Sequence, residues 1–456
     1  MGRLRDLAEA TPPERVRHVD LLRAAAILAV VTGHWLAAVV IHDGDVLTHM
    51  NALEVLGWAH PITWLLQVMP LFFIVGGYAN AASMRSHRAR GGDATSWLLN
   101  RSQRLVTPVT VLLVVLSGAG LLAALLGADT RQLGIMAHGA VLPLWFLVAY
   151  LAVVVLTPPM HALHRRYGFA VPVVLVGVVV AGDAVRLGTG IEWAASANFV
   201  LLWLAVHQAG FAWQDGSLPS RAPVAGPIAG VGLGVLVLTT LVGPYPVSMI
   251  NVPGAQMHNV SPPSVALLAL ATTQLGLALL LSRAGERWMR RTRPWAVVIG
   301  INTVTFTLFL WHMPALVLAA FTLHALKALP HLPVDSVAWL AWQVPWLLIL
   351  AVVLAGLVAV FARVERGGDP RTGISGRLGD LLVRAGDGPG RGGVIGILTV
   401  ASLGAAISGM LLIADGSPTD HGPVPLPTAG LLAWLAAAVV LWLLRSARAA
   451  ATARQR

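Results

Sequence analysis

Apolar residues run through this chain in long blocks, without the alternation or one-sided striping of a soluble domain. Blocks near the ~20 residues a helix needs to cross a bilayer fall at about 20–41, 61–83, 105–127, 141–158, 170–187, 196–213, 223–243, 263–282, 295–320, 336–361, 394–414 and 429–445. The pattern predicts an all-α polytopic membrane protein of about twelve helices. The fourth to sixth blocks are short and interrupted by Pro158, Asp183 and Glu192. A Gly- and Arg-rich stretch then divides the chain. A ten-helix membrane core is expected over 1–362, a basic cytoplasmic linker over 363–393, and a two-helix C-terminal membrane addition with a basic tail over 394–456. The linker, with a weak helical patch from Leu378 to Val383, is expected to lie on anionic lipid.

Composition sharpens this picture. The 456 residues are 57% hydrophobic and 11% charged, against about 25% charge in soluble domains. No cysteine is present, which excludes disulfides, thiolate catalysis and thiolate-bound metals. The formal net charge of +11 is explained by placement. With the N-terminus in the cytoplasm, the arginine clusters all fall in cytoplasmic segments, and the outer segments carry only Arg131, Arg186 and Lys327. Both termini are then cytoplasmic, membrane lipids are the neighbours of the basic loops, and no nucleic-acid partner is called for. The polar start of the chain lacks the pattern of a removable signal, so the first helix is read as its own insertion signal.

Candidate chemistry is concentrated in the first apolar block. Arg23 and His34 are eleven residues apart, about 16 Å of rise and about three turns plus 20°, so they share one helix face. Arg23 could simply reach back to the headgroups. His34 lies too deep for that, and an ionisable group at such depth marks a functional path. The second block ends in Phe72, Phe73, Gly76, Gly77, Tyr78 and Asn80, where paired glycines read as close helix packing or as room for a ligand. Arg101 and Arg104, one turn apart, present forks suited to phosphate or are ordinary cytoplasmic charge. Trp145, in Leu144–Leu147, reads most simply as an interfacial anchor. His312 beside Pro314 is a second mid-membrane histidine, structural or catalytic. The first outer loop carries His42, Asp43, Asp45, His49, Glu54 and His60 without any tight ligand spacing, so no metal site is assigned. The external stretch 243–263, with Asn251, Gln256, His258, Asn259 and Ser261, could shape a pocket for a polar acceptor.

Taken in order, Asp20, Arg23 and His34, Phe72-Phe73 ahead of Gly77-Tyr78, Arg101-x-x-Arg104, Leu144-Trp145-Phe146 and Leu310-Trp311-His312-x-Pro314 resemble the acyltransferase 3 family of membrane-bound O-acyltransferases. The resemblance implies acyl transfer from cytoplasmic acyl-CoA, acetyl-CoA first among donors, to a hydroxyl on a sugar or glycolipid at the outer side of a bacterial inner membrane. No permanently bound cofactor is implied. By this resemblance His34 is the catalytic histidine and Arg23 its donor-site partner. Arg101 and Arg104 meet the CoA phosphates, and the stretch from Phe72 to Tyr78 lines the acyl path. Asp20, Trp145 and His312 are secondary candidates. Two departures stand out: Gly76-Gly77 replaces the family's Ser-Gly, and two helices follow the usual core. A transporter or flippase for a lipid-linked sugar is the principal rival reading. A polyprenyl-sugar glycosyltransferase using Asp43 or Asp45 is another, and a structural scaffold a third. The oligomeric state is not legible.

Overall fold

The computed structural model describes residues 6, 8–12, 14–43, 46–365, 391–416 and 424–454. Helices dominate, in the order α1 (Arg17–Ala37), α2 (Thr63–Leu66), α3 (Met69–Ala89), α4 (Ala94–Leu125), α5 (Thr130–Val141), α6 (Leu144–Tyr167), α7 (Ala170–Thr189) and α8 (Asn198–Asp215). They continue with α9 (Ala222–Val237), α10 (Val265–Leu280), α11 (Ser282–Met289), α12 (Thr292–Asn302), α13 (Thr305–Ala325), α14 (Val337–Glu365), α15 (Arg391–Asp415) and α16 (Thr428–Arg454). Among the described residues 11 helices are long and apolar enough to span a bilayer, or 12 if α10 and α11, bent by 51° at their junction, count as one. Most of the expected linker lies outside the described residues.

Local chemistry explains several ends. Asp93 accepts from the Ser96 N–H while the Ser96 hydroxyl meets the Asp93 N–H, a capping box that starts α4. Ser264 caps α10 through Leu267 N–H. Gly190 and Gly216 end α7 and α8 at φ +70° and +84°, a left-handed backbone that glycine adopts without strain.

The all-α polytopic architecture is as expected, and two apolar blocks differ from it in detail. The block 20–41 is not helical to its end: α1 stops at Ala37 and its β-branched continuation forms strand β1 (Ala38–Asp43), antiparallel to β2 (Val46–Asn51), with Ile41 opposite Thr48. Gln132 of α5 completes this hairpin, donating to Leu47 O at 2.8 Å and accepting from Leu47 N at 3.2 Å. The apolar block 295–320 is likewise two helices, because the chain breaks between Asn302 and Thr305.

Helix α1 runs between two packed regions. One contains α3, α8 and α10, with Phe73, Trp203 and Leu267 buried. The other contains α4, α6, α13 and α14, and it extends without interruption into α15 and α16 through Leu403, Met410 and Trp434. Gly409 and Gly430 let those last two helices meet backbone to backbone, and Trp434 Nε1 donates to Thr110 Oγ1 of α4 at 3.0 Å. The stretch between α9 and α10 is held over α2 by Trp64 Nε1 donating to Val247 O (2.7 Å) and Gln67 Nε2 to Met249 O (2.9 Å).

Candidate active site

Helices α1 and α13 bring two histidines together. His34 Nδ1 lies 2.9 Å from the Val30 carbonyl oxygen and 3.3 Å from His312 Nε2, with the ring centroids 5.0 Å apart. His312 is fully buried, its Nδ1 2.7 Å from Phe309 O. Trp35 Nε1 donates to the His312 carbonyl at 2.9 Å and so ties the two helices beside the pair. A carbonyl only accepts, so the nitrogen facing it carries the hydrogen. His34 and His312 then both carry hydrogen on Nδ1, and with one hydrogen per ring the two Nε2 atoms are acceptors. His312 Nε2 accepts from His34, and His34 Nε2 keeps its lone pair.

His34 lines a cavity of about 770 Å³. Toward the helices its walls are Val30, Gly33, Phe72, Trp145, Phe309 and Met313. Toward the hairpin and the 243–264 stretch they are His49, Asn51, Glu54, Asn251 and His258, and Ala414 of α15 also reaches it. Trp145 is therefore a cavity wall.

About 16 Å back along α1 the chemistry is cationic. Asp20 is buried between Arg15, whose Nε donates to it at 2.7 Å, and Arg23, whose Nη1 lies 3.9 Å from its other oxygen. The Asp20 carbonyl accepts from Asn302 Nδ2 at 2.8 Å, at the break between α12 and α13. Arg23 also has Tyr150 and Arg101 as electrostatic neighbours. Arg101 Nη2 donates to Tyr150 Oη at 3.0 Å while its buried Nε has no protein partner. Arg104, one turn on, is exposed. The sequence reading missed Tyr150, although a lone tyrosine in the α6 run Val148–Val154 was the available signal. It missed His207 too, which lies 3.1 Å from Asn80 Nδ2 at the buried α3–α8 crossing.

The Phe72–Tyr78 stretch divides by helix face. Phe72 lines the cavity, but Phe73 is buried behind it and stacked on Trp203 at 4.5 Å. Gly77 faces the His207 carbonyl and Gly210 of α8 so closely that a Cβ would collide, so it serves helix contact rather than ligand approach. Tyr78 packs edge-on against Trp213, centroids 5.3 Å apart. In the loop between α1 and α2, Glu54 Oε1 accepts from Asn51 N–H (2.9 Å) and His60 Nε2 lies 3.0 Å from Leu53 O. Among the described residues no group of three or more His, Asp or Glu converges as a metal site. Asp45 lies outside them.

Neither the curated proteins nor the solved structures yield a match. A family model described as an acyltransferase domain, that of acyltransferase 3, matches residues 16–363, from just before α1 to the end of α14. The match covers well over half of the chain, including the histidine pair, the cavity walls other than Ala414, and Arg23, Arg101 and Arg104: the protein belongs to the acyltransferase 3 family.

Proposed function

We propose that this protein is an O-acyltransferase. It takes an acyl group from cytoplasmic acyl-CoA and transfers it to a hydroxyl of a carbohydrate, glycolipid or related acceptor met at the outer face of a bacterial inner membrane. Both termini face the cytoplasm, as the arginine distribution supports. The observation that carries the reading is the polarity of α1. One end holds Arg23 within a cation-rich cluster, and the other holds His34 with its lone-pair nitrogen beside a cavity.

The chemistry follows from that nitrogen. As the acceptor oxygen attacks the thioester carbonyl carbon, His34 Nε2 takes the hydroxyl proton. When the tetrahedral centre collapses, the C–S bond breaks and His34 passes that proton to the CoA thiolate. In a two-step variant Nε2 itself attacks the carbonyl carbon and CoA leaves as the thiolate; the acceptor hydroxyl then displaces Nε2, and its proton passes to the thiolate. Both routes need the Nδ1–H tautomer. Arg101, with an unspent buried Nε–H, and exposed Arg104 would meet the anionic CoA head, and Arg23 would stand between that head and His34.

Calorimetry of acetyl-CoA and CoA binding to the purified protein tests the assignment. Saturable binding that Arg101→Ala/Arg104→Ala abolishes and His34→Ala keeps, with transfer lost in both, is expected. No binding of either ligand would sink the acyl-CoA reading and favour a transporter.

A further inference from the structure

The cavity beside His34 lacks a permanent cation: its ionisable nitrogens belong to His34, His49, His138 and His258. Among its described lining residues there is no lysine, arginine or aspartate. The single carboxylate, Glu54, is engaged in a capping box with Asn51 N–H. Phosphate and sulfate groups are held in proteins by the permanent charge and fork geometry of arginine, or by lysine. This wall offers neither. In a low-dielectric site a buried anion without a partner is expelled.

What the wall does offer is uneven. Around His34 it is aromatic and aliphatic, through Phe72, Trp145, Phe309 and Met313. On the hairpin side it carries uncharged amide groups on Asn51 and Asn251. Asn51 uses its amide within the protein, Oδ1 accepting from Leu53 N–H and Nδ2 donating to Asn251 O, so it is the side-chain amide of Asn251 that a purely hydrocarbon chain would leave facing nothing, and a polysaccharide stem would meet the apolar end. A volume of about 770 Å³ suits a compact, drug-sized molecule buried over most of its surface.

We infer that the acceptor is an uncharged amphipathic alcohol of compact size. Its hydroxyl sits on an apolar body that reaches His34 Nε2, and its neutral polar part faces Asn251. The inference rests on the acyltransferase reading and narrows it, since anionic glycolipids and phosphate-linked sugars are excluded from this cavity. Gly33 offers a probe of the floor. It lines the cavity one residue from His34, and a Cβ added there meets only Leu66, at 3.7 Å. A leucine at 33 therefore projects into the cavity without displacing backbone.

The test uses the full chain in zwitterionic nanodiscs with acetyl-CoA, and mass spectrometry to count acetylated product. The acceptors are a matched set: decyl glucoside, decyl glucuronide and decyl glucoside phosphate. The glucoside should exceed either anion by at least tenfold in kcat/KM. Gly33→Leu should lose its acetylation by a similar factor while acetyl-CoA binding by calorimetry is unchanged. Equal or better use of an anion overturns the inference, as does acetyl-CoA binding with no acetylation of the glucoside. Unchanged glucoside turnover in Gly33→Leu also overturns it, because the acceptor then lies elsewhere. Failure to bind acetyl-CoA at all is a different result and removes the underlying acyl-transfer reading.

Discussion

His312 Nε2 lies 3.3 Å from His34 Nδ1, so the partner of the proposed base is a second imidazole and not a carboxylate. A buried carboxylate would have to be kept ionised within the membrane at high cost, whereas a neutral imidazole accepts the same N–H without charge. His312→Phe removes that acceptor and leaves only Val30 O to hold the ring. We expect kcat to fall about 10–100-fold, as when groups orienting a functional histidine are removed, with the KM for acyl-CoA unchanged. His312→Gln, whose amide oxygen can accept the same bond, should restore part of kcat. Equal losses in both variants would show that the second imidazole only fills space. His34→Ala should cost about 10²–10⁴-fold in kcat.

Tyr150 and Arg101 act together at the other end of α1. Tyr150→Phe removes the hydroxyl that accepts from Arg101 Nη2 and frees the guanidinium to move. Acyl-CoA affinity should weaken by about 1 kcal/mol, roughly fivefold in Kd, with kcat at saturation little changed. A calorimetric titration of the variant decides it.

Gly76 and Gly77, adjacent in sequence, should differ sharply. A Cβ at Gly76 sits 3.5 Å from Tyr150 Cε2, an ordinary contact, whereas one at Gly77 strikes the His207 carbonyl and Gly210. Gly76→Ala should therefore keep the wild-type thermal midpoint in detergent. Gly77→Ala should lower it by several degrees by forcing α3 from α8.

Asp183 and Arg186 form a buried ion pair at 2.7 Å, and Asp183 also accepts from Tyr245 Oη (2.7 Å) and Val265 N–H (2.7 Å). This pair ties α7 to the stretch between α9 and α10 that borders the cavity. Arg186→Met leaves the carboxylate without its cation and should destabilise the fold by about 3–5 kcal/mol. Asp183→Asn/Arg186→Met should recover much of that loss, read from denaturation midpoints.

Asp93 links the start of α4 to Arg448 of α16, and its carboxyl titrates outside the membrane spans. Burial pushes it upward, but bonds from Ser96 and Arg448 prevail and hold it at about 2. The folded chain therefore binds this proton less readily than the unfolded chain, whose aspartates titrate near about 3.9. Its contribution is complete above about pH 4 and is lost as pH falls through about 2. Because the carboxylate is exposed, the effect is small. The midpoint difference between wild type and Asp93→Asn should be constant from about pH 7 to 5 and shrink below about pH 4. A difference that grows on acidification would refute the assignment.

Much of this molecule was written in one-dimensional terms. A span needs about 20 apolar residues in a row because the bilayer, not the rest of the protein, is the solvent that selects them. The helical architecture and the shared face of Arg23 and His34 were therefore readable from spacing alone. The hairpin after α1 was not, because Val39–Ile41 continues an apolar block. Only pairing with Val46–Met50 and the clamp from Gln132 make it a strand. Contacts across hundreds of residues were equally hidden. His312 is 278 positions from His34, and whether it is structural or poised beside a base depends on how α13 lies against α1. The same holds for Phe72 and Phe73, neighbours that point one to the cavity and one to Trp203, and for Gly77, whose meaning is set by the backbone of α8. Hydrophobicity is a property of each residue and survives in the sequence. Which apolar face meets which is a property of packing, and many pairings of these helices would satisfy the membrane equally well.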